Sequence, residues 1–266
     1  MIQQAYINQW RSLYAPWPSD AFVEHDLILS RALVEIFSHD LLFKTMALRG
    51  GTALNKLYLK KFGRFSEDID LVQIVPGDNG PFIDAIRSKL DKFLGVPKRK
   101  VGEGITTLTY RIDATDRTPI KLKIETNTRE HNAFMPFLKN HFVVNSDWFS
   151  GDCYINSYVI EELLGTKLRA LYQRKKGRDL YDFWATAQEL SLDYSTIVKS
   201  FQYYLKCEGT MITYADLEEN LKQKLTDKTF IEDMNKLLIP GVDYDGTQAM
   251  EWFKSTILPY LRAEKN

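Results

Sequence analysis

Two short sequence features contain residues suited to binding a phosphorylated ligand and a metal ion. The first is a glycine turn, Gly50-Gly51-Thr52, and the second is a pair of acids, Asp68 and Asp70. Alternate side chains of an extended strand project from the same face, so the two aspartates lie together. Neighbouring carboxylates repel each other unless a cation lies between them, and their hard oxygen atoms prefer Mg²⁺ or Mn²⁺. The acids therefore predict a divalent metal site.

The glycine turn precedes a segment with helical spacing, residues 53–59. Glycine lets the backbone approach a ligand closely, and unpaired N–H groups at a helix N-terminus favour anions. The turn therefore predicts a phosphate site, to which Thr52 would add a hydroxyl group and Lys56 a positive charge. Lys56 could also simply face solvent. We expect a helix from Thr52 to about Lys61 and a turn through Gly63, so that the acidic strand returns beside the glycines.

Each feature alone is common, because Gly-Gly often forms only a turn and Asp-x-Asp often marks only the end of a strand. In combination, residues 50–54 and the segment Arg64-Phe65-Ser66-Glu67-Asp68-Ile69-Asp70-Leu71 resemble the signature of the AbiEii type of abortive-infection nucleotidyltransferase toxin, within the DNA polymerase β-like superfamily. The resemblance covers the chain from about Leu42 to about Trp184.

The resemblance implies both a fold and roles for the motif residues. The fold is α+β: a polymerase β-like nucleotidyltransferase core with a mixed or antiparallel sheet flanked by helices, followed by a helical C-terminal subdomain. Metal ions would bind Asp68, Asp70 and a third carboxylate. The nucleotide phosphates would be held by the glycine turn and its neighbours, namely Gly50, Gly51, Thr52, Lys56 and Ser66.

The third acid is expected on a β-hairpin. Residues 106–113 and 120–126 alternate between polar and apolar side chains across a short polar loop, which predicts two antiparallel strands. Glu125 ends the polar face of the second strand. By resemblance, Glu125 completes the metal site and takes the proton from the attacking hydroxyl group. The alternatives are a solvated edge strand and, as a substitute acid, Asp113.

Two later helices carry the remaining expected site residues. An amphipathic helix is predicted from Asn156, and it places Lys167 on a flank from which the side chain could reach a triphosphate. A second helix begins near Arg178. By resemblance, Lys167 neutralises phosphate charge, while Asp179 and Asp182 position the lysine or a substrate group. The alternative is a salt-bridged helical hairpin, in which Arg178 and Asp182 stand one turn apart and can pair.

The rest of the chain is predicted to be mostly helical. Helical spacing extends from Trp10 to about Leu48, from about Phe82 to Leu94, and from about Ser191 onward. His25 and Asp26 are expected on a solvated helix face.

Composition and length narrow the class of protein. The chain has 266 residues, with 35 basic and 35 acidic side chains, so its net charge of zero does not by itself indicate a nucleic-acid partner. Its two cysteines lack the spacing of a zinc site or a disulfide framework. No segment resembles a signal peptide or a membrane span, so we expect a cytoplasmic protein with no membrane partner. We expect residues 1–150 to form the catalytic domain and residues 151–266 to form a mainly helical domain that contributes its Lys and Asp motifs to the cleft.

The expected reaction moves a nucleoside monophosphate from an NTP to an acceptor and releases pyrophosphate. By resemblance, the protein is the toxin of a toxin–antitoxin pair in phage defence, with an antitoxin from a neighbouring gene and the tRNA 3′ end as leading acceptor. The alternatives are a protein acceptor, a small-molecule acceptor of a housekeeping enzyme, and a binding module for RNA or protein without turnover. Intact Asp68 and Asp70 favour an enzyme, since a degenerate site would lose such costly paired carboxylates.

Overall fold

The computed structural model describes residues 2–234 and 237–262, and the chain divides into two compact units. The first unit comprises Met1–Leu57 and Phe65–Tyr158, and the second comprises Tyr58–Arg64 and Val159–Asn266. In the described part of the chain, no helix has the length and hydrophobicity needed to cross a membrane.

The first unit is built on a seven-stranded mixed sheet. Its strands, in chain order, are β1 Met46–Arg49, β2 Asp68–Gln73, β3 Lys98–Gly102, β4 Ile105–Asp113, β5 Pro119–Asn127, β6 Leu138–Asn145 and β7 Ser150–Ser157. The order across the sheet is β3-β4-β5-β2-β1-β7-β6. The acidic strand β2 is antiparallel to β1 and parallel to β5. It therefore lies between the strand that leads into the glycine turn and the strand that carries Glu125.

Five helices accompany the sheet in the described first unit: α1 Gln4–Leu13, α2 Asp20–Phe37, α3 Asp40–Thr45, α4 Gly50–Ala53 and α5 Asn79–Leu94. A π-helical turn, Leu54–Tyr58, continues α4. The helix predicted after the glycines is therefore shorter than expected. The predicted β4–β5 hairpin is confirmed, and each residue of β4 pairs with one of β5.

Strand β1 occupies a segment that was predicted to be helical. Met46, Ala47 and Leu48 are fully buried, and β1 lies between β2 and β7 in the sheet interior. A strand buried on both faces has a continuous apolar sequence, which periodicity cannot distinguish from part of a buried helix. The helical prediction for these residues was wrong for that reason.

Helix α2 buries the polar residues that were expected on a solvated face. His25 is 5% exposed and Asp26 is fully buried. Asp26 accepts hydrogen bonds from Trp10 Nε1 at 2.8 Å and from Lys56 Nζ at 2.6 Å. The prediction was wrong because these partners come from segments that are distant in sequence.

The burial of His25 predicts a pH-dependent stability. Burial lowers the pKa of His25 to about 4, although the nearby Asp26 opposes that shift. An unfolded histidine has a pKa near 6.5, so the unfolded state binds more protons between about pH 4 and 6.5 and stability should rise with pH across that window. The two pKa values correspond to about 3 kcal/mol in the free energy of unfolding.

Urea unfolding of the wild type and His25→Gln, at about pH 4.5 and pH 7, measures this effect, and the variant should lose most of the pH dependence. The raised pKa of Asp68 has the opposite effect, because its contribution to the free energy of unfolding is lost as the pH rises towards about 6. This contribution is the same in the wild type and in His25→Gln, so it cancels from the comparison. An equal dependence in both proteins would contradict the prediction.

The described part of the second unit is helical, as predicted for the C-terminal part of the chain. Its helices are α6 Ile160–Gln173, α7 Gly177–Glu189, α8 Tyr194–Cys207, α9 Tyr214–Leu225, α10 Lys228–Glu232, α11 Gly246–Thr256 and α12 Leu258–Arg262. Helix α6 packs against α7 and α8. Residues 58–64 join this unit through Glu189, which accepts hydrogen bonds from the backbone N–H groups of Lys60, Lys61 and Phe62 at 2.6–2.8 Å.

Candidate active site

The pairing of β1 with β2 brings the glycine turn to the second aspartate. Arg49 is opposite Asp70 in the antiparallel register, so Gly50 follows directly beside that carboxylate. The φ angle of Gly50 is +79°, a conformation that favours glycine. A Cβ atom added to Gly50 would lie 2.1 Å from Asp70 Oδ2. The site therefore needs glycine both for its backbone conformation and for the space that Asp70 occupies.

Replacing Gly50 by alanine should impair both stability and activity. The positive φ costs an alanine roughly 1–2 kcal/mol, and the added methyl group must displace the Asp70 carboxylate. A displacement of about 1 Å near reacting groups can lower the rate about 10²-fold. Urea unfolding and nucleotide-transfer assays measure the two effects.

Gly95 offers a matched control for this substitution. Its φ is also +79°, but nothing lies within 4 Å of an added Cβ atom. Gly95→Ala should therefore lose only the stability that the strained backbone costs. Equal transfer rates for Gly50→Ala and Gly95→Ala would refute the role of the close approach to Asp70.

Thr52 and Ser66 hold the start of β2 against the glycine turn. The buried Thr52 hydroxyl donates to the Asp68 carbonyl oxygen at 2.5 Å and lies 2.8 Å from Ser66 Oγ. Because the Thr52 hydrogen is given to the carbonyl group, Ser66 donates to Thr52. Both hydroxyl groups were expected at the nucleotide phosphates. Their hydrogen atoms are instead used inside the fold, where they position Asp68.

Lys56 has a structural partner as well. Its ammonium group lies 2.6 Å from Asp26 Oδ1, with only 10% of the side chain exposed, and 5.9 Å from the centre of the Trp10 ring. The expected phosphate contact assumed a free positive charge. The structure corrects that expectation, since Asp26 neutralises the charge in the interior of the first unit.

The pairing of β2 with β5 creates a face of four charged side chains. Asp68 is opposite Lys123 and Asp70 is opposite Glu125 in the parallel register. Lys123 Nζ lies 3.5 Å from Asp68 Oδ2 and 3.2 Å from Glu125 Oε2. Lys123 was not predicted as a site residue, although strand alternation alone places it on the face of Glu125.

The environment of Asp68 disfavours its charge. Burial raises the pKa of Asp68 to about 6; Lys123 opposes the shift, and the negative charges of Asp70, Glu67 and Glu125 add to it. Crowded, partly desolvated carboxylates of this kind are stabilised by a nearby cation.

The donor set fits a divalent ion at the two aspartates. Among the residues that the structure describes, no three His, Cys, Asp or Glu side chains form a cluster that could hold a metal. The expected three-carboxylate cluster with Glu125 is therefore not formed, and Lys123 lies between Asp68 and Glu125 as a substitute cation. Asp68 and Asp70 remain as hard oxygen donors on one face, which suits Mg²⁺ or Mn²⁺.

Arg49 is a further charged neighbour, and it was not predicted as a site residue. Its guanidinium group donates to Glu130 Oε2 at 2.5 Å, and its backbone is in register with Asp70. Its position directly before Gly50 in the motif was the available signal.

The second unit contains a cluster of buried ion pairs around Asp182. Arg64 donates to both Asp182 oxygens at 2.8 and 3.0 Å, and Lys167 Nζ lies 2.8 Å from Oδ2. Lys167 also lies 3.4 Å from Asp179, which accepts two bonds from Arg174 at 2.7 and 2.8 Å. The structure thus brings together the predicted Lys167, Asp179 and Asp182.

Two features of this cluster differ from the prediction. Asp182 pairs with Arg64 and Lys167 rather than with the Arg178 that helical spacing suggested. Lys167 is buried, not placed on an accessible flank. Arg64 and Arg174 were not predicted as members of the cluster, and Arg64 is 118 residues from Asp182 in sequence.

The cations of the cluster keep both of its aspartates charged. Burial would raise the pKa of Asp182, but Arg64 and Lys167 outweigh it and hold that pKa below its usual range. Lys167 and Arg174 do the same for Asp179. Both carboxylates are therefore ionised.

Comparison with known proteins identifies the family. The sequence profile of the AbiEii nucleotidyl transferase toxins, of type IV toxin–antitoxin systems, matches residues 31–254. The chain belongs to the AbiEii family. This membership confirms the resemblance that the two motifs predicted, and it makes the protein a nucleotidyltransferase toxin with an NTP substrate and an antitoxin partner.

Solved structures show the same fold as this AbiEii protein. The nucleotidyltransferase toxin MenT4 from Mycobacterium tuberculosis aligns with a TM-score of 0.56 and 15% identity over 100% of both chains. JHP933 from Helicobacter pylori aligns with a TM-score of 0.50 and 19% identity over 92% of this chain and 95% of that chain. A comparison with curated proteins finds no match. The likenesses confirm the predicted α+β nucleotidyltransferase fold.

Proposed function

We propose that this AbiEii-family enzyme transfers a nucleoside monophosphate to the 3′ end of an RNA, with tRNA the leading acceptor. As a toxin, it would act in the cytoplasm in abortive infection against phage. The observation that carries the catalytic part of the proposal is the close approach of Gly50 to Asp70, beside Asp68 on the same strand. It joins a turn suited to phosphate to a pair of carboxylates suited to metal.

Asp68 and Asp70 are the proposed ligands of Mg²⁺ or Mn²⁺. When bound, such an ion offsets charge on the phosphates and makes a hydroxyl group more acidic. The raised pKa of Asp68 supports this assignment, because the fold places the carboxylate where its charge lacks a sufficient partner.

The protein's own groups provide the remaining steps in this proposal. Gly50 and Gly51 open helix α4, so their backbone N–H groups have no helical partners and can bind a phosphate. Thr52 and Ser66 hold the strand that carries Asp68. Glu125, held by Lys123, takes the proton from the acceptor hydroxyl group.

The predicted catalytic roles of Lys167, Asp179 and Asp182 remain part of the proposal. Lys167 would neutralise charge on the triphosphate and on the departing pyrophosphate. Asp179 and Asp182 keep its ammonium group in one position. The contacts of Lys167 with both predicted aspartates support this role.

Labelling with each NTP, radioactive at the α-phosphate, tests the proposal. The protein is incubated with Mg²⁺ and either total RNA or a protein extract, beside Asp68→Asn. Label in RNA that depends on Asp68 supports the proposal. Label only in protein would establish the alternative acceptor, and no label in any fraction would reject transfer to either macromolecule.

A further inference from the structure

The strand register places two rows of side chains across four strands of the sheet. The first row is Asp68, Lys123, Thr109 and Lys98, and the second is Asp70, Glu125, Thr107 and Lys100. Residues paired across strands project from the same face, and both rows lie on the face of the aspartates. Each row therefore begins at an acid of the candidate metal site and ends at a lysine on the edge strand β3.

Helices cover the opposite face of these strands. Tyr110 and Thr106, which project to that side, are buried, and they contact helix α5 through Asp91 at 2.8 Å and Asn79 at 2.6 Å. The face that carries the two rows remains accessible, because Lys98 and Lys100 are exposed and the threonines between are half-buried.

A second pair of cations extends this face. Arg111 and Lys121 are opposite each other on β4 and β5, two residues from Thr109 and Lys123, and both are exposed. We call Lys98, Lys100, Arg111 and Lys121 the basic face. In the described part of the chain, none of the four forms an ion pair. Asp113 lies on the same face, two residues beyond Arg111 along β4.

We propose that the basic face binds the sugar-phosphate backbone of a single-stranded RNA acceptor and directs its 3′ end towards Asp68 and Asp70. This proposal rests on the proposed function, in which the acceptor is RNA. The charge complements phosphate in a chain whose net charge is zero, and the hydroxyl groups of Thr107 and Thr109 can donate to phosphate oxygens.

The dimensions and side chains of the face define how the RNA is recognised. Three strand spacings separate β2 from β3, about 14 Å in total, which suits a short single-stranded segment. The strand positions on this face carry no aromatic side chain. Bases have no stacking platform there, so binding should depend on the backbone and tolerate many sequences.

Fluorescence anisotropy with a labelled single-stranded RNA oligonucleotide, without NTP, tests the proposal. Lys98→Gln/Lys100→Gln should raise the Kd about tenfold and lower the slope of log Kd against log salt by about 1.4, which is about 0.7 for each lost phosphate contact. Arg111→Gln/Lys121→Gln should act similarly.

The edge strand offers a matched control. Arg99 lies between Lys98 and Lys100 but projects from the other face of β3, and Lys92 is exposed on helix α5. Arg99→Gln/Lys92→Gln removes the same charge and should change the Kd by less than about twofold. In transfer assays, Lys98→Gln/Lys100→Gln should raise the KM for RNA and keep kcat at saturating RNA.

The outcomes separate this proposal from the proposed function. If Lys98→Gln/Lys100→Gln and the control Arg99→Gln/Lys92→Gln bound RNA with equal affinity, the proposed role of the basic face would be overturned, even if the wild type labels RNA. A wild type that labels only protein would reject the RNA acceptor, and with it this proposal. If Lys98→Gln/Lys100→Gln lost binding to the antitoxin but kept its RNA affinity, the basic face would be a protein interface. That result would also overturn the proposal.

Discussion

Asp70→Asn should lower the rate of nucleotide transfer about 10³-fold, because a metal-held charge supplies several kcal/mol of transition-state stabilisation. The amide group keeps the size of the carboxylate, so Gly50 and the strand pairing can remain in place. Asp70 provides one of the two proposed metal ligands, and an amide oxygen without charge is a much weaker ligand for Mg²⁺. The rate of α-phosphate label transfer measures the effect.

The same substitution should leave the fold nearly as stable as the wild type. Asp70 repels Asp68, whose pKa it helps to raise, and attracts Arg49. These two effects oppose each other, so the free energy of unfolding should change by less than about 1 kcal/mol. Asp113→Asn, on the same face at the end of β4, is the control and should keep its activity. Full activity of Asp70→Asn, or an inactive Asp113→Asn, would refute the assignment.

The local parts of this site could be predicted from sequence. Strand alternation places Asp68 and Asp70 on one face without knowledge of any partner strand. The β4–β5 hairpin is visible for the same reason, because each strand has one buried and one open face. Features that depend on neighbours within a few residues were therefore recovered.

The missed features depend on pairing between distant segments. The position of Lys123 between two carboxylates requires the parallel register of β2 and β5, which no local pattern reveals. Asp26 is buried because Trp10 and Lys56 reach it from other segments. Hydrogen-bonding partners, not composition, decide whether such polar groups are buried. The pairing of Arg64 with Asp182 could not be predicted for the same reason, since 118 residues separate them in sequence.

Asp182→Ala should destabilise the second unit by about 3–5 kcal/mol, the cost of leaving a buried charge without its partner. Arg64 and Lys167 both bind this carboxylate, and both are at most 7% exposed at the side chain. Asp179→Ala should cost less, because its partner Arg174 is 48% exposed and can be hydrated. Urea unfolding of the two variants measures the difference. Equal losses would contradict the central position of Asp182.

Lys167→Met separates the structural role of this cluster from a catalytic one. The substitution leaves Asp182 paired with Arg64 and Asp179 paired with Arg174, and the methionine can occupy the buried volume of the lysine stem. Stability should therefore fall less than in Asp182→Ala, while transfer should fall about 10²-fold or more if Lys167 stabilises phosphate charge. A stable Lys167→Met with wild-type transfer would reduce the cluster to a salt-bridged helical hairpin. Loss of transfer in a stable variant would require a catalytic function for Lys167, since its structural contribution is then replaced.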